Sequence, residues 1–147
     1  MALMDAQPFD EARAKRRRIA TSVVIFILLL LAFAAWEMRF WPEERVVNKF
    51  FKQIEAQNYE GAYAFWTADP NWKQHPEKYA RYPFTEFVQD WGPSSEYGTI
   101  HSHKIERASN PPAGRGSGVI VEVQVNDRPV TVGVWVEKSD KSLSFPP

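Results

Sequence analysis

Cysteine is absent from all 147 residues. No disulfide can brace the fold, and no thiolate is available as nucleophile or metal ligand. Net charge is also absent, because 18 Lys and Arg balance 18 Asp and Glu. That zero hides an asymmetry. From Pro42 to the C-terminus, 12 basic residues stand against 14 acidic ones. Nucleic-acid binding needs a basic face, so nucleic acid is not an expected partner of this part. No nucleophile elbow, phosphate loop or spaced metal-ligand motif occurs, and no cofactor is implied. Internal repeats and low-complexity tracts are missing as well.

What is present is a run of 18 uncharged residues, Ile19 to Trp36, directly after the basic residues Arg13, Lys15, Arg16, Arg17 and Arg18. As a helix it would rise about 27 Å, against about 30 Å of bilayer hydrocarbon. Phe40 and Trp41 can extend it. Trp36, Phe40 and Trp41 then read as an aromatic belt on the exit side, while Glu37 and Arg39 snorkel outward. The basic cluster lies before the run, and the exit side carries Glu37, Glu43 and Glu44 against Arg39 and Arg45. The positive-inside rule therefore places the N-terminus in the cytoplasm, with membrane lipids as partners of the basic cluster. The expected organisation is a cytoplasmic basic tail over 1–18, a transmembrane helix over 19–41 and an extracytoplasmic domain over 42–147. A bacterial inner membrane is the default location, with the domain periplasmic. Ala32-Phe33-Ala34 offers a competing reading as a leader cleavage site; either way the domain is exported.

That domain is large enough for one core. It holds 15 aromatics, many between Tyr59 and Trp91, and aromatics bury the most area per side chain. Pro42, Glu43 and Glu44 suit a helix start. Val46, Val47, Phe50, Phe51 and Ile54 follow at helical spacing. Asn58 can cap a second helix bearing Ala62, Tyr63 and Trp66, which Asp69-Pro70 ends. A short helical piece near 77–81 precedes a helix with Phe84, Phe87, Val88 and Trp91 on one face. The second half reads as strands: 97–107, then Val119 to Val125 in strict alternation, an Asn126-Asp127 turn, Val130 to Val136, and a short strand over 143–145. Helices followed by an antiparallel meander give an α+β fold with helices on one face of the sheet.

The stretch from Val46 to Tyr63 carries Val47, Phe50, Phe51, Ile54, Tyr59, Ala62 and Tyr63 in the pattern V-x-x-F-F-x-x-hydrophobic-x-x-x-x-Y-x-x-A-Y. It resembles the opening helices of nuclear-transport-factor-2-like domains, whose fold ends in a curved antiparallel sheet. The resemblance implies a cone-like domain, here with a sheet short for a full cone. Because that superfamily hosts enzymes, transport factors and assembly modules, it implies little about activity. The layout of cytoplasmic N-terminus, one anchor and a small exported domain is similar to the bitopic assembly subunit of type IV secretion systems.

Several residues are candidates for chemistry. His101-x-His103 would place two imidazoles on one strand face, but lacks a spaced third ligand. Glu86 and Asp90, one turn apart, would suit either a general base in a cone pocket or an exposed polar face. Gly114-Arg115-Gly116-Ser117-Gly118 lacks the strand and helix of a dinucleotide loop and reads as a hairpin connection. Trp72, His75, Tyr79 and Tyr82, set among prolines, form the best interaction candidate, as core cover or as an interface hot spot. The expected function is a non-enzymatic accessory or assembly subunit of a membrane protein complex. The alternatives are a periplasmic module for a small apolar ligand, held among Trp66, Phe87, Trp91 and Trp135, and an isomerase- or dehydratase-like enzyme.

Overall fold

The computed structural model describes residues 10–147. Helix α1, Glu11–Glu37, begins at Asp10, whose carboxylate accepts the Arg13 backbone N–H at 3.1 Å. It therefore runs through the basic cluster as well as the apolar run, and the cytoplasmic tail expected over 1–18 is helical from residue 11. None of its residues is buried. Among the described residues it is the helix long and apolar enough to cross a membrane. One turn of 3-10 helix, Met38–Phe40, follows. The chain divides into two compact units, one ending at Arg39 and one spanning Phe40–Pro147.

In the second unit, α2 (Trp41–Glu55) has Pro42 in its first turn and Glu43 and Glu44 near the positive end of its dipole. Its spacing sends Val47, Phe50, Phe51 and Ile54 into the core. Glu43 is buried too, and the Lys141 Nζ donates to it at 2.8 Å. Helix α3 (Tyr59–Thr67) is capped by Asn58, which accepts the Gly61 N–H at 3.1 Å. Helix α4 (Phe84–Trp91) buries Phe87 and Trp91. Between α3 and α4 lie two 3-10 turns, Trp72–Gln74 and Pro76–Tyr79.

The sheet is curved and antiparallel, in the order β1 (His103–Ser109), β2 (Val119–Val125), β3 (Thr131–Val136), β4 (Leu143–Ser144). Its inner face is the valine ladder: Val119, Val121 and Val123 sit opposite Val136, Val134 and Val132. These side chains and Val125 are buried. Helix α2 lies against β1, β2 and β3, and α3 against β4. The α+β architecture read from the sequence is the one observed.

β1 must turn both Ile105 and Ala108 inward, although they are three residues apart. A bulge at Glu106 solves this: the pairing passes from Ile105↔Val123 to Arg107↔Glu122, so Glu106 and Arg107 both stay exposed. On the outer face Arg107 then donates to Glu122 at 2.6 Å.

Three strand boundaries differ from the sequence reading. β1 starts at His103, not Tyr97. Residues 97–102 are held instead by the Asn126 side chain, which accepts the His101 N–H at 2.9 Å and donates to the Thr99 carbonyl at 2.9 Å. Asn126 and Asp127 both have φ near 50°, the left-handed pair of a two-residue hairpin turn. Val130 lies beyond the last β2–β3 pair and is 73% exposed. β4 stops at Ser144, because Phe145 leaves the ladder to pack on Trp66 and Trp91. Trp135 faces away from the valine ladder, as the alternation of β3 requires. Its ring meets Gly118 so closely that an added Cβ would fall 2.2 Å from it. The glycine loop is thus a fitted cover for Trp135 as well as a connection.

Phe50 is the centre of the core: its ring lies 5.1 Å from both Phe51 and Trp91, 5.6 Å from Trp66 and 6.1 Å from Phe87. Phe50→Ala is expected to lower stability by about 4 kcal/mol, read from denaturant unfolding of the detergent-solubilised chain. A loss below about 1 kcal/mol would mean that the ring is not packed as described.

Candidate functional site

The segment from Asp69 to Tyr82 is built on the end of α3. Ala68 adopts φ +51°, turning the chain so that Asp69 points back over the segment. The Asp69 carboxylate accepts three hydrogen bonds: the Asn71 backbone N–H at 2.8 Å, the Tyr79 hydroxyl at 2.6 Å, and the His75 Nε2. Those donors, the Tyr79 hydroxyl foremost, hold its pKa at about 2. Burial, then the same contact, pushes Tyr79 up to about 12.

Trp72 stands edge-on to Tyr63 at 4.8 Å and against Phe84 at 4.9 Å. Tyr63 donates its hydroxyl to the Tyr82 carbonyl at 2.6 Å. The Tyr82 hydroxyl donates to Asp90 at 2.7 Å, and burial, foremost, raises its pKa. The four candidate residues thus fall into two groups. Trp72, His75 and Tyr79 meet around Asp69 and Tyr63. Tyr82 sits apart, against Trp66, Phe87 and Phe145. All four are partly buried, so the segment packs over the aromatic core while keeping one side in water. Lys73, Gln74, Glu77 and Lys78 form its exposed side.

Two shallow apolar grooves flank the segment. One, of about 230 Å³, is lined by Tyr63, Trp72, Pro76, Tyr79, Pro83 and Phe84. The other, of about 320 Å³, runs along Val46, Ala64, Phe65, Ala68 and Pro70 to Lys141. The space between helices and sheet is filled differently from the ligand cavity that the sequence suggested: Trp66, Phe87 and Trp91 pack on one another, and Trp135 belongs to the opposite face of the sheet.

The candidate polar residues also separate. His103 is inside the domain, stacked 5.2 Å from Phe51, with Nδ1 at 2.5 Å from Glu55 and Nε2 at 2.8 Å from Asn48. His101 lies outside the strand and is exposed. Among the described residues, no group of three or more His, Cys, Asp or Glu could hold a metal ion. Glu86 and Asp90 are exposed on α4. A carboxylate held near 2, as Asp69 is, is a weak base at neutral pH. Its geometry is that of a brace between the end of α3 and the second 3-10 turn. Sequence reasoning took Asp69 only as a helix stop; its partners lie six and ten residues downstream, at no spacing that signals contact.

Of the residues assigned to the membrane interface, Trp36 is 62% and Trp41 50% exposed. The Arg39 guanidinium covers the Trp36 ring at 3.8 Å, and Arg45 lies over Trp41 at 5.0 Å. Phe40 belongs elsewhere: it is 8% exposed and part of the domain core, because the 3-10 turn that ends at Phe40 directs its ring inward. The basic residues Arg13 to Arg18 are exposed on α1. Compared with family profiles, curated proteins and solved structures, the chain matches none.

The Asp69 brace has a pH signature. A carboxyl whose pKa falls from an ordinary 3.8 to about 2 on folding contributes stability that is fully present above pH 3.8 and is lost as pH falls through about 2. The melting temperature should therefore drop across that window, and Asp69→Asn should flatten this part of the profile while lowering stability at pH 7. Parallel profiles for the two proteins would contradict the brace.

Proposed function

We propose that the chain is a single-pass protein of the cell inner membrane, with its N-terminus in the cytoplasm and its α+β domain in the periplasm. In this reading the domain is an accessory or assembly subunit of a membrane protein complex, acting by protein binding rather than catalysis. One observation carries it most: an apolar helix, basic at its N-terminal side, leads into a small domain whose interior is filled with aromatic rings. Such a domain offers surface rather than a chamber. The order of elements, helices followed by a four-stranded antiparallel meander, supports kinship with the nuclear-transport-factor-2-like domains. The charge difference across α1 supports the orientation.

The partner surface in this reading is the water-facing side of the Asp69–Tyr82 segment. Aromatic rings anchored in a core, with exposed polar residues around them, suit a hot spot. A second reading, binding of a small apolar ligand, has the groove along Val46, Phe65 and Pro70 in its favour. That groove is open and shallow, whereas ligand sites bury most of the ligand's surface.

Crosslinking in membranes, then affinity capture of the full-length chain, tests the proposal. A reproducible set of membrane partners is expected, and Lys78→Glu should release it at a smaller cost in stability than Trp72→Ala, since Lys78 is exposed and lies over the Tyr79 ring at 5.5 Å. Trp72→Ala should instead cost about 2 kcal/mol of stability, below the range for a fully buried tryptophan. Capture that returns no reproducible partner would count against the assembly role. Partner loss on Trp72→Ala with stability intact would show that this ring serves the interface alone.

A further inference from the structure

The helical form of residues 11–18 gives the basic cluster a shape that the sequence alone does not. At about 100° per residue, Arg13, Lys15, Arg16, Arg17 and Arg18 project at roughly 0°, 200°, 300°, 40° and 140° around α1. No sector wider than about 100° lacks a cation. Along the axis the five span about 7.5 Å. All are exposed, and no acidic residue occurs between Glu11 and Glu37 to neutralise them. Among the described residues, the ion pair within the cluster joins Arg13 to Asp10 at 4.0 Å.

This is a collar rather than a stripe. A protein groove meets one face of a helix, and cations on the remaining faces would gain nothing from it. Anions that surround the helix on every side would meet all five. The collar ends where the apolar run begins, at Ile19, and its depth matches the roughly 5–7 Å of headgroup layer on one side of a bilayer.

We infer that the 13–18 collar gathers anionic phospholipid headgroups around α1, giving the anchor a preferred shell of acidic lipid. This rests on the reading of α1 as a membrane anchor. Long flexible side chains let each cation reach a phosphate while the stems lie along the edge of the hydrocarbon. The attraction is coulombic and falls off within a Debye length, so the preference weakens with salt.

The full-length chain is reconstituted into vesicles of phosphatidylcholine and phosphatidylglycerol, and the lipid shell is read with spin-labelled analogues of each. The native protein should hold phosphatidylglycerol about threefold or more tightly than phosphatidylcholine. The variant R13Q/K15Q/R16Q/R17Q/R18Q should bring that ratio near one, and R13K/R16K/R17K/R18K should keep it. Equal association of both lipids with the native chain would overturn the inference, as would a preference that survives neutralisation. RNA binding lost in the neutralised variant, without lipid preference, would assign the collar to nucleic acid and overturn it as well. Carbonate extraction separates the two levels. A chain stripped from phosphatidylcholine vesicles sinks the anchor reading and the collar with it. A chain that stays inserted but shows no preference sinks the collar alone.

Discussion

The second unit depends on one contact: the paired rings of Phe50 and Phe51 laid on the valine face of the sheet. Both side chains are fully buried. Phe50 reaches across to α3 and α4 through Trp66, Phe87 and Trp91, while Phe51 reaches the sheet edge through His103. With no disulfide available, these rings join every layer of the domain. Edge-to-face pairs add about 0.5–1.5 kcal/mol each beyond their burial. The strand side answers with valine at every inward position of β2, a β-branched surface that is stiff and fits a pleated sheet.

Other features follow from closing that core in a short chain. Three helices and a four-stranded sheet leave the far end of the aromatic cluster uncovered, and the segment after α3 covers it. The segment is too irregular to satisfy itself through a backbone ladder. Asp69 supplies side-chain bonds instead, to Asn71, His75 and Tyr79, bracing the second 3-10 turn against the end of α3. The outer face of the sheet has the same problem on a smaller scale. There Trp135 is covered by Gly116 and Gly118, which can approach its ring only because neither carries a side chain. Phe145 closes the remaining side, stacked parallel to Trp91 at 6.0 Å.

Much of this was legible where local rules decide the outcome. The apolar face of α2, the Asn58 cap, the alternation of Val119 to Val125 and the Asn126-Asp127 turn each follow from spacing or turn chemistry within a few residues. What escaped depends on distant partners. Asn126 captures residues 97–102 from across the hairpin and delays β1. The bulge at Glu106 reconciles two inward residues at odd spacing. Phe40 looks like a membrane-interface aromatic beside Trp36 and Trp41, yet the core claims it. Composition marks the cover segment but not its organising residue, Asp69, whose hydrogen-bonded side chains lie six and ten residues downstream. Function was the least legible part. The chain carries no motif whose chemistry names a reaction, and the domain's polar clusters are hydrogen-bonded into its own fold.

In the proposed reading, α1 with its basic collar is a membrane tether and the ring-filled domain is its periplasmic cargo. Because the chain has no cysteine, single cysteines can report this without background. Ala12→Cys lies on α1 before the collar, and Ala113→Cys lies in the exposed loop between β1 and β2. In spheroplasts, a membrane-impermeant maleimide should label the protein at position 113 directly and at position 12 only after lysis. Labelling at position 12 in intact spheroplasts, or protection at position 113, would contradict the orientation on which the account rests.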